Sequence, residues 1–332
     1  MRTQASILAL AAVGFFCVAA SAQQGTPAVP GSQLPAAPQL AILDTDIGDD
    51  IDDAFALALA LRSPELKLLG VTTTYGDTEL RARLVDRYLS AAGSTDISVA
   101  AGVATPHTNV FTQAAYARQV PKVTYADGVD FLLGQIRAHP GEITLIAIGP
   151  LTNVEDAIKR DPDTFRKLKR VVMMGGSINR GYDDGQTRAH RPPDAEWNIK
   201  ADPAGAKALL ASGVPIFMMP LDSTQIHLEA ADREAIFAHG SPLTDQLTLL
   251  YHQWNANSDG HWTTPTLFDP VAVTYAVHPE LCPMTPMHLE VDDQGYTRPV
   301  EGGAPNAQVC LQSDEKGFLA LLLDRILNDP AH

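Results

Sequence analysis

Basic residues are scarce in this chain: 24 Lys and Arg stand against 39 Asp and Glu in 332 residues, a formal charge of −15. Such a surface repels polyanions, which excludes a nucleic-acid polymer as partner and suits a small neutral substrate and a bound cation. Cysteine is scarcer still. Beyond Cys17 only Cys282 and Cys310 remain, and in an oxidising compartment they can pair, although their separation in space is not readable from sequence. Long apolar runs are missing after the N-terminus, so no later stretch reaches the roughly 20 residues of a spanning helix. There is also no internal repeat and no second linker.

The one apolar run, Ile7 to Ala20, follows Arg2 and leads into Ala20-Ser21-Ala22. A positive start, an apolar run too short to span, and a small-x-small pattern together predict a secretory signal peptide over residues 1–22. Phe15 and Phe16 precede Cys17 where a lipoprotein would carry a small residue. Residues 23–39 are rich in Pro, Gly, Ser, Ala and Gln and predict a flexible linker. The expectation is an exported protein, secreted or periplasmic and free of the membrane after cleavage near Ala22. A single catalytic domain then occupies residues 40–332, folded from Leu40 to about Leu327.

Within that domain, short apolar and β-branched runs alternate with helical spacing. Leu40–Leu43, Leu68–Thr73, Ile143–Ile148, Val171–Met174 and Val214–Met219 read as buried strands. Ala54–Leu61, Glu79–Ala92, Gly128–Ala138, Val154–Lys159 and Pro203–Ala211 read as helices. The alternation predicts an α/β domain with a mostly parallel, Rossmann-like sheet flanked by helices. Ligands of such sheets bind where strands end and helices begin.

Those edges carry unusual residues. After the first strand come Asp44, Asp46, Asp49, Asp50, Asp52 and Asp53, six aspartates in ten residues. Like charges so close raise one another's pKa unless something positive intervenes. A solvated acidic turn with one helix cap accounts for one or two of them, not six beside an apolar strand. A hard divalent ion accounts for the set, because clustered carboxylate oxygens suit calcium or magnesium. The spacing is not that of an EF-hand, since Gly48 falls where an acid belongs. Asp44-x-Asp46 leaves an aspartyl phosphatase open as an alternative, but no basic residue lies near the loop in sequence to receive phosphate.

The motif Asp44-Thr-Asp46-Ile-Gly48, followed by Asp52-Asp53-Ala54, resembles the signature of the inosine-uridine nucleoside hydrolase family. Gly149-Pro-Leu-Thr-Asn153, Met174-Gly-Gly176, Glu196-Trp-Asn198 with Asp202-Pro203, and Asp269-Pro270 follow in the family's order, so the resemblance covers Leu40 to about Val277. It implies one bound calcium ion, Ca2+, and hydrolysis of the N-glycosidic bond of ribonucleosides to free base and ribose. Asp46 would be both a metal ligand and the catalytic base that activates a water, with Asp53, Asp269 and the main-chain carbonyl of Ile148 as further ligands. Asp52, Asp77, Glu196 and Asn198 would hold the ribose, the last two at its 5′-hydroxyl, with Met174 beneath the sugar. Members are commonly dimers or tetramers, so a homodimer or homotetramer is expected.

The chain also departs from the pattern. The family loop has two fewer residues between Gly48 and the Asp-Asp pair, which leaves Asp49 and Asp50 surplus, and Asp50 is a candidate ligand in its own right. His190 stands where the family often has a ribose-binding Asn. Phe268 takes the place of a His before the metal-binding Asp-Pro, and an aromatic there can stack on a purine but not protonate it. Tyr251, Trp254, His261 and Trp262 precede it and either line the base pocket or pack the core, while His261 and His190 are alternative proton donors. The expectation is a preference for purine nucleosides. Hydrolysis of another ribosyl compound, such as nicotinamide riboside, or non-catalytic binding of a nucleoside or sugar, are the alternatives.

Overall fold

The computed structural model describes residue 1 and residues 37–106, 109–183, 191–258 and 263–328. The expected signal peptide and most of the linker lie outside the described residues. Among these residues no helix is long and apolar enough to cross a membrane.

Eleven strands form in chain order: β1 (Gln39–Thr45), β2 (Leu66–Thr73), β3 (Ser98–Ala101), β4 (Ala126–Asp127), β5 (Thr144–Ala147), β6 (Arg170–Met174), β7 (Ile216–Met219), β8 (Met284–Met287), β9 (Leu289–Val291), β10 (Thr297–Pro299) and β11 (Ala307–Cys310). Nine of them build one sheet in the order β4-β3-β2-β1-β5-β6-β7-β11-β8, and β9 and β10 make a separate antiparallel pair. The large sheet is parallel except at its edge, where β8 runs against β11. Ile42, Leu43, Val71, Leu145 and Ile146 are fully buried. Such continuous apolar runs are what a strand covered on both faces requires.

All five strands and all five helices expected from the pattern are present. The helices Gly128–Ala138 and Pro203–Ala211 begin and end where their spacing places them. The short strands β3 and β4, the C-terminal strands β8 to β11 and the last helix, Glu315–Leu327, carry too brief or too mixed a pattern to stand out and were not anticipated.

Topology places the site. From β1 the chain works outward through β2, β3 and β4, then returns to β5 on the other side of β1. Helices entering opposite faces leave a crevice at that reversal, beyond the C-terminal ends of β1 and β5. The loop from β1 into helix α1 (Asp52–Leu61) and the turn Ile148-Gly149 after β5 open onto it.

Cys282 and Cys310 form a disulfide with 5.6 Å between their Cα atoms, linking the end of β11 to the segment that enters β8. The bridge closes a loop of 28 residues, for which chain entropy gives about 3–4 kcal/mol. Replacing both cysteines with serine should lower the thermal midpoint of unfolding without abolishing turnover. An unchanged midpoint would mean that the bridge does not form in solution.

Candidate active site

The loop between β1 and α1 is held from below, from above and by its own side chains. Thr45 donates its hydroxyl to the Asp53 carboxylate and accepts from the Ile47 amide at 3.1 Å, folding the loop back on the start of α1. Asp50 Oδ1 accepts from the Ile51 amide at 2.7 Å, and the Trp254 indole N–H donates to the same carboxylate. Gly48 has φ +127°, and a Cβ there would lie 2.0 Å from the Phe111 ring, so only glycine fits. Thr112 and Gln113 donate to the carbonyls of Asp49 and Asp50, both at 2.7 Å. From beneath, Arg81 of helix α2 (Thr78–Ala91) donates to the carbonyls of Asp46, Ile47 and Tyr75 and to both oxygens of Asp49.

Above the loop opens a cavity of about 360 Å³, lined by Asp46, Asp49, Asp50, Asp52, Asp53 and Asp269 and walled by Ile148, Met174, Tyr182, Glu196, Trp197, Asn198, Trp254 and Phe268. Asp52, Asp53 and Asp269 each offer an oxygen within 4.8 Å of the other two. The Asp269 amide donates to Asp52 Oδ2 at 3.2 Å, so the N-terminus of the helix Pro270–Val277 faces the acids. Asp46 stands against Gly149, where a Cβ would come 2.8 Å from its Oδ1. A glycine is therefore required for β5 to end this close to the carboxylate.

Asp46, Asp52, Asp53 and Asp269 are buried, and burial is the first cause that raises their pKa values. Asp46 rises from 3.8 to about 7, with Arg81 pulling it down and Asp49 and Glu196 pushing it up. Asp52, Asp53 and Asp269 are raised well above 3.8 by burial and then by one another and by Asp46 and Asp50. Without a cation these groups cannot all be ionised together. The donor set is all oxygen, from several convergent carboxylates and the Ile148 carbonyl at the cavity wall, which fits a hard divalent ion. Asp44, by contrast, is fully buried below the pocket, where Thr72 and Asn153 donate to its Oδ1 at 2.5 and 2.6 Å.

Most residues expected at the sugar lie on the opposite wall. Glu196 caps the helix Trp197–Ala201 and accepts from the amides of Gly176, Asn198 and Ile199 at 2.9, 2.9 and 3.1 Å. Asn198 Nδ2 reaches the carbonyls of Ile148 at 3.1 Å and Met174 at 3.3 Å. Phe268 meets Tyr182 edge-on with ring centroids 6.0 Å apart. Asp77 is the exception: it is exposed, caps α2 by accepting from the Leu80 amide at 3.0 Å, and lines a shallow depression with Thr78, Tyr125 and Asp127. The family resemblance implied a sugar ligand here, but the cap turns its side chain away from the cavity. His190, His261 and Trp262 lie outside the described residues.

Sequence reasoning missed Arg81, whose spacing does carry a signal. With Leu84, Val85 and Tyr88 it shares the buried face of α2, where a charged residue needs a partner. The basic residue thought absent from the loop is therefore present beneath it, with its donors turned to the loop rather than to the pocket. Tyr182 and Trp197 were also missed, since nothing local marks them as pocket walls.

A deep anionic pocket at the switch point of a parallel sheet, floored by oxygen donors for a hard ion, defines a hydrolase site for a substrate that becomes cationic as it reacts. Residues 41–320 match the family described as inosine-uridine preferring nucleoside hydrolase, and the chain belongs to that family. It is 31% identical over 314 residues to the pyrimidine-specific ribonucleoside hydrolase RihA of Citrobacter koseri and to that of Escherichia coli K12, covering 86% of this chain and 97% of each relative. Among solved structures, the plant nucleoside hydrolase PpNRh1 superposes with a TM-score of 0.74 at 27% identity, over 88% of this chain and 99% of that one. The purine-preferring ribonucleoside hydrolase from Gardnerella vaginalis shares the fold, with a TM-score of 0.73 at 24% identity over 87% of this chain and 98% of that one. The protein is an N-ribohydrolase that acts on small-molecule nucleosides.

The raised carboxyls give the metal-free protein a distinct pH response. Their folded pKa values lie above 3.8, with Asp46 at about 7, so the folded state holds more protons than the unfolded one between those values. Stability is then highest below pH 4 to 5 as far as these groups are concerned, and it falls as pH rises through 7. Without divalent ion the thermal midpoint should be lower at pH 8 than at pH 5, and adding calcium at pH 8 should raise it. A midpoint indifferent to both pH and calcium would mean that this cluster holds no ion.

Proposed function

We propose that the enzyme hydrolyses ribonucleosides with calcium as its resident ion and Asp46 as the base, and that the observation carrying this reading is the convergence of Asp46, Asp52, Asp53 and Asp269 on one buried cavity floor. Asp46, Asp53, Asp269 and the Ile148 carbonyl would hold the ion, which when bound supplies positive charge to the acids and acidifies the attacking water. The Asp46 carboxylate, on the cavity floor against Gly149, takes the water's proton as the bond to C1′ forms. Asp52 accepts from a ribose hydroxyl, and Glu196 and Asn198, each pinned by backbone partners, receive the far end of the sugar. As the glycosidic bond breaks, the sugar turns oxocarbenium-like, and the surrounding carboxylates stabilise that charge. Attack from the face opposite the base inverts the anomeric carbon, and the departing base takes up its proton from solvent at the open side of the cavity.

Phe268 and Tyr182 supply apolar surface at the base side and no acid at the Phe268 position. The relatives are named for both pyrimidine and purine preference, and the aromatic pair favours the broader ring, so purine nucleosides are proposed as the better substrates. Export is proposed as well. The signal-like residues 1–22 and the Cys282–Cys310 disulfide, which suits an oxidising compartment, support it.

Asp46→Asn should fold, retain calcium more weakly and lose turnover by a factor of roughly 10² to 10⁴. A panel of purine, pyrimidine and nicotinamide ribosides, run with and without chelator, tests the rest. Near-normal turnover by Asp46→Asn would move the base elsewhere. Full activity in chelator would remove the metal, and uridine as the fastest substrate, with Phe268→Ala leaving purine turnover unchanged, would overturn the stacking proposal. For export, N-terminal sequencing of the mature protein should begin near Gln23, and recovery of Met1 from soluble cytoplasm would contradict it.

A further inference from the structure

Arg81 has a fully buried side chain, and its donors grip the catalytic loop. Its Nε donates to Tyr75 O at 2.8 Å, Nη1 to the carbonyls of Asp46 and Ile47 and to Asp49 Oδ1, and Nη2 to Asp49 Oδ2 at 3.0 Å. Phe111 covers the guanidinium, 5.0 Å from its ring centroid, and the same ring rests on Gly48. Planar donors thus grip the turn at Asp46, at Ile47 and at Asp49, with an aromatic cover on the far side. Asp49 is one of the two residues by which this loop exceeds the family pattern, and pairing with Arg81 is what it does here.

Stability alone is a poor reason for such an arrangement. A buried guanidinium with a half-buried counter-ion must offset a desolvation cost of several kcal/mol per buried ion, and well-packed apolar side chains would close the turn about as well. What apolar packing cannot do is fix three carbonyls and a carboxylate at once. A guanidinium does so because its fork is rigid and each donor has its own direction.

We propose that Arg81, with Asp49 as its counter-ion, is a positioning residue for the hydrolysis: by clamping the backbone at Asp46 and Ile47 it sets where the Asp46 carboxylate stands against the ion and the attacking water. The inference rests on the reading of Asp46 as base. A displacement of about 1 Å at a reacting group is enough to cost about 10²-fold in rate, and partners one layer behind metal ligands typically change activity or metal affinity by about 10–100-fold.

The test uses the full-length, calcium-loaded enzyme and two variants. Arg81→Lys keeps the charge but replaces the fork with a single nitrogen. Asp49→Asn keeps the shape and the three carbonyl bonds but frees one side of the fork. In each, kcat should fall by about 10–100-fold while KM stays within about threefold, the signature of an interaction that matters in the transition state. Calcium affinity, measured by calorimetry after the ion is removed, should weaken by a similar factor, and circular dichroism should show the native fold. Variants that only melt earlier, with wild-type kcat and calcium affinity, would overturn the proposal and leave Arg81 a packing residue. If Arg81→Lys does not fold, Asp49→Asn decides alone, and unchanged kcat and affinity in it overturn the proposal too. The underlying reading fails separately: Asp46→Asn with near-normal turnover removes the base whatever the Arg81 variants do.

Discussion

Carboxylates that share a dry cavity repel one another, and much of this molecule is arranged around that repulsion. The acids cannot be spread out, because β1 delivers five of them within eight residues of one strand end and the helix Pro270–Val277 brings Asp269 against them. Bulk water screens them poorly, since Asp46, Asp52, Asp53 and Asp269 are all buried. What remains is compensation by fixed charge and dipole, from Arg81 below and the start of Pro270–Val277 opposite, and by the ion proposed above. The same field serves catalysis, because a sugar that gains positive charge on bond cleavage is drawn toward it.

Burial also gives each acid a separate task. Asp44 and Asp46 stand two apart in one strand end, so their side chains leave the backbone in related directions. Yet Asp44 is sealed among Thr72 and Asn153 while Asp46 opens on the cavity beside Gly149. Asp49 is bound by Arg81, Asp50 by Ile51 and Trp254, and Asp52 by the Asp269 amide. The surplus residues of the loop are therefore not idle; besides the Ile51 amide, their partners come from α2 and from the helix Pro242–Asn257.

Much of this was legible in the sequence because parallel sheets confine function to strand ends. Once Leu40–Leu43 reads as a strand and Ala54–Leu61 as a helix, the acids between them have only one place to be. Asp269, Glu196 and Asn198 were reached through motif order, and the fold brings them to the same cavity. Asp77 shows the limit: the position after β2 was right, but whether a side chain there enters the crevice or caps the next helix depends on one backbone turn, with Tyr75 at φ +60°. Tyr182 and Trp197 were illegible for a different reason. Pocket walls are set by how distant segments lean together, and a lone aromatic residue carries no periodicity to betray that. The C-terminal strands β8 to β11 are only three or four residues long, so their alternation is too brief to register.

The segment around Thr112 ties the two sides of the cavity to each other. Thr112 and Gln113 hold the loop carbonyls, while Asn257 donates to Thr112 O at 2.8 Å and Gln253 accepts from the Tyr116 amide at 2.9 Å. The helix Pro242–Asn257, which contributes Trp254 to the wall, is thus wired to the catalytic loop by the side chains of Asn257 and Gln253, which bond backbone atoms of the segment that holds the loop. A change on that helix that reshapes the wall also tugs on the floor. For a lineage drifting from one nucleobase to another, selectivity and speed are then linked traits: substitutions on this helix that widen or narrow the diet carry a kinetic side effect, and adaptation on this scaffold must proceed through compensated pairs rather than free single steps.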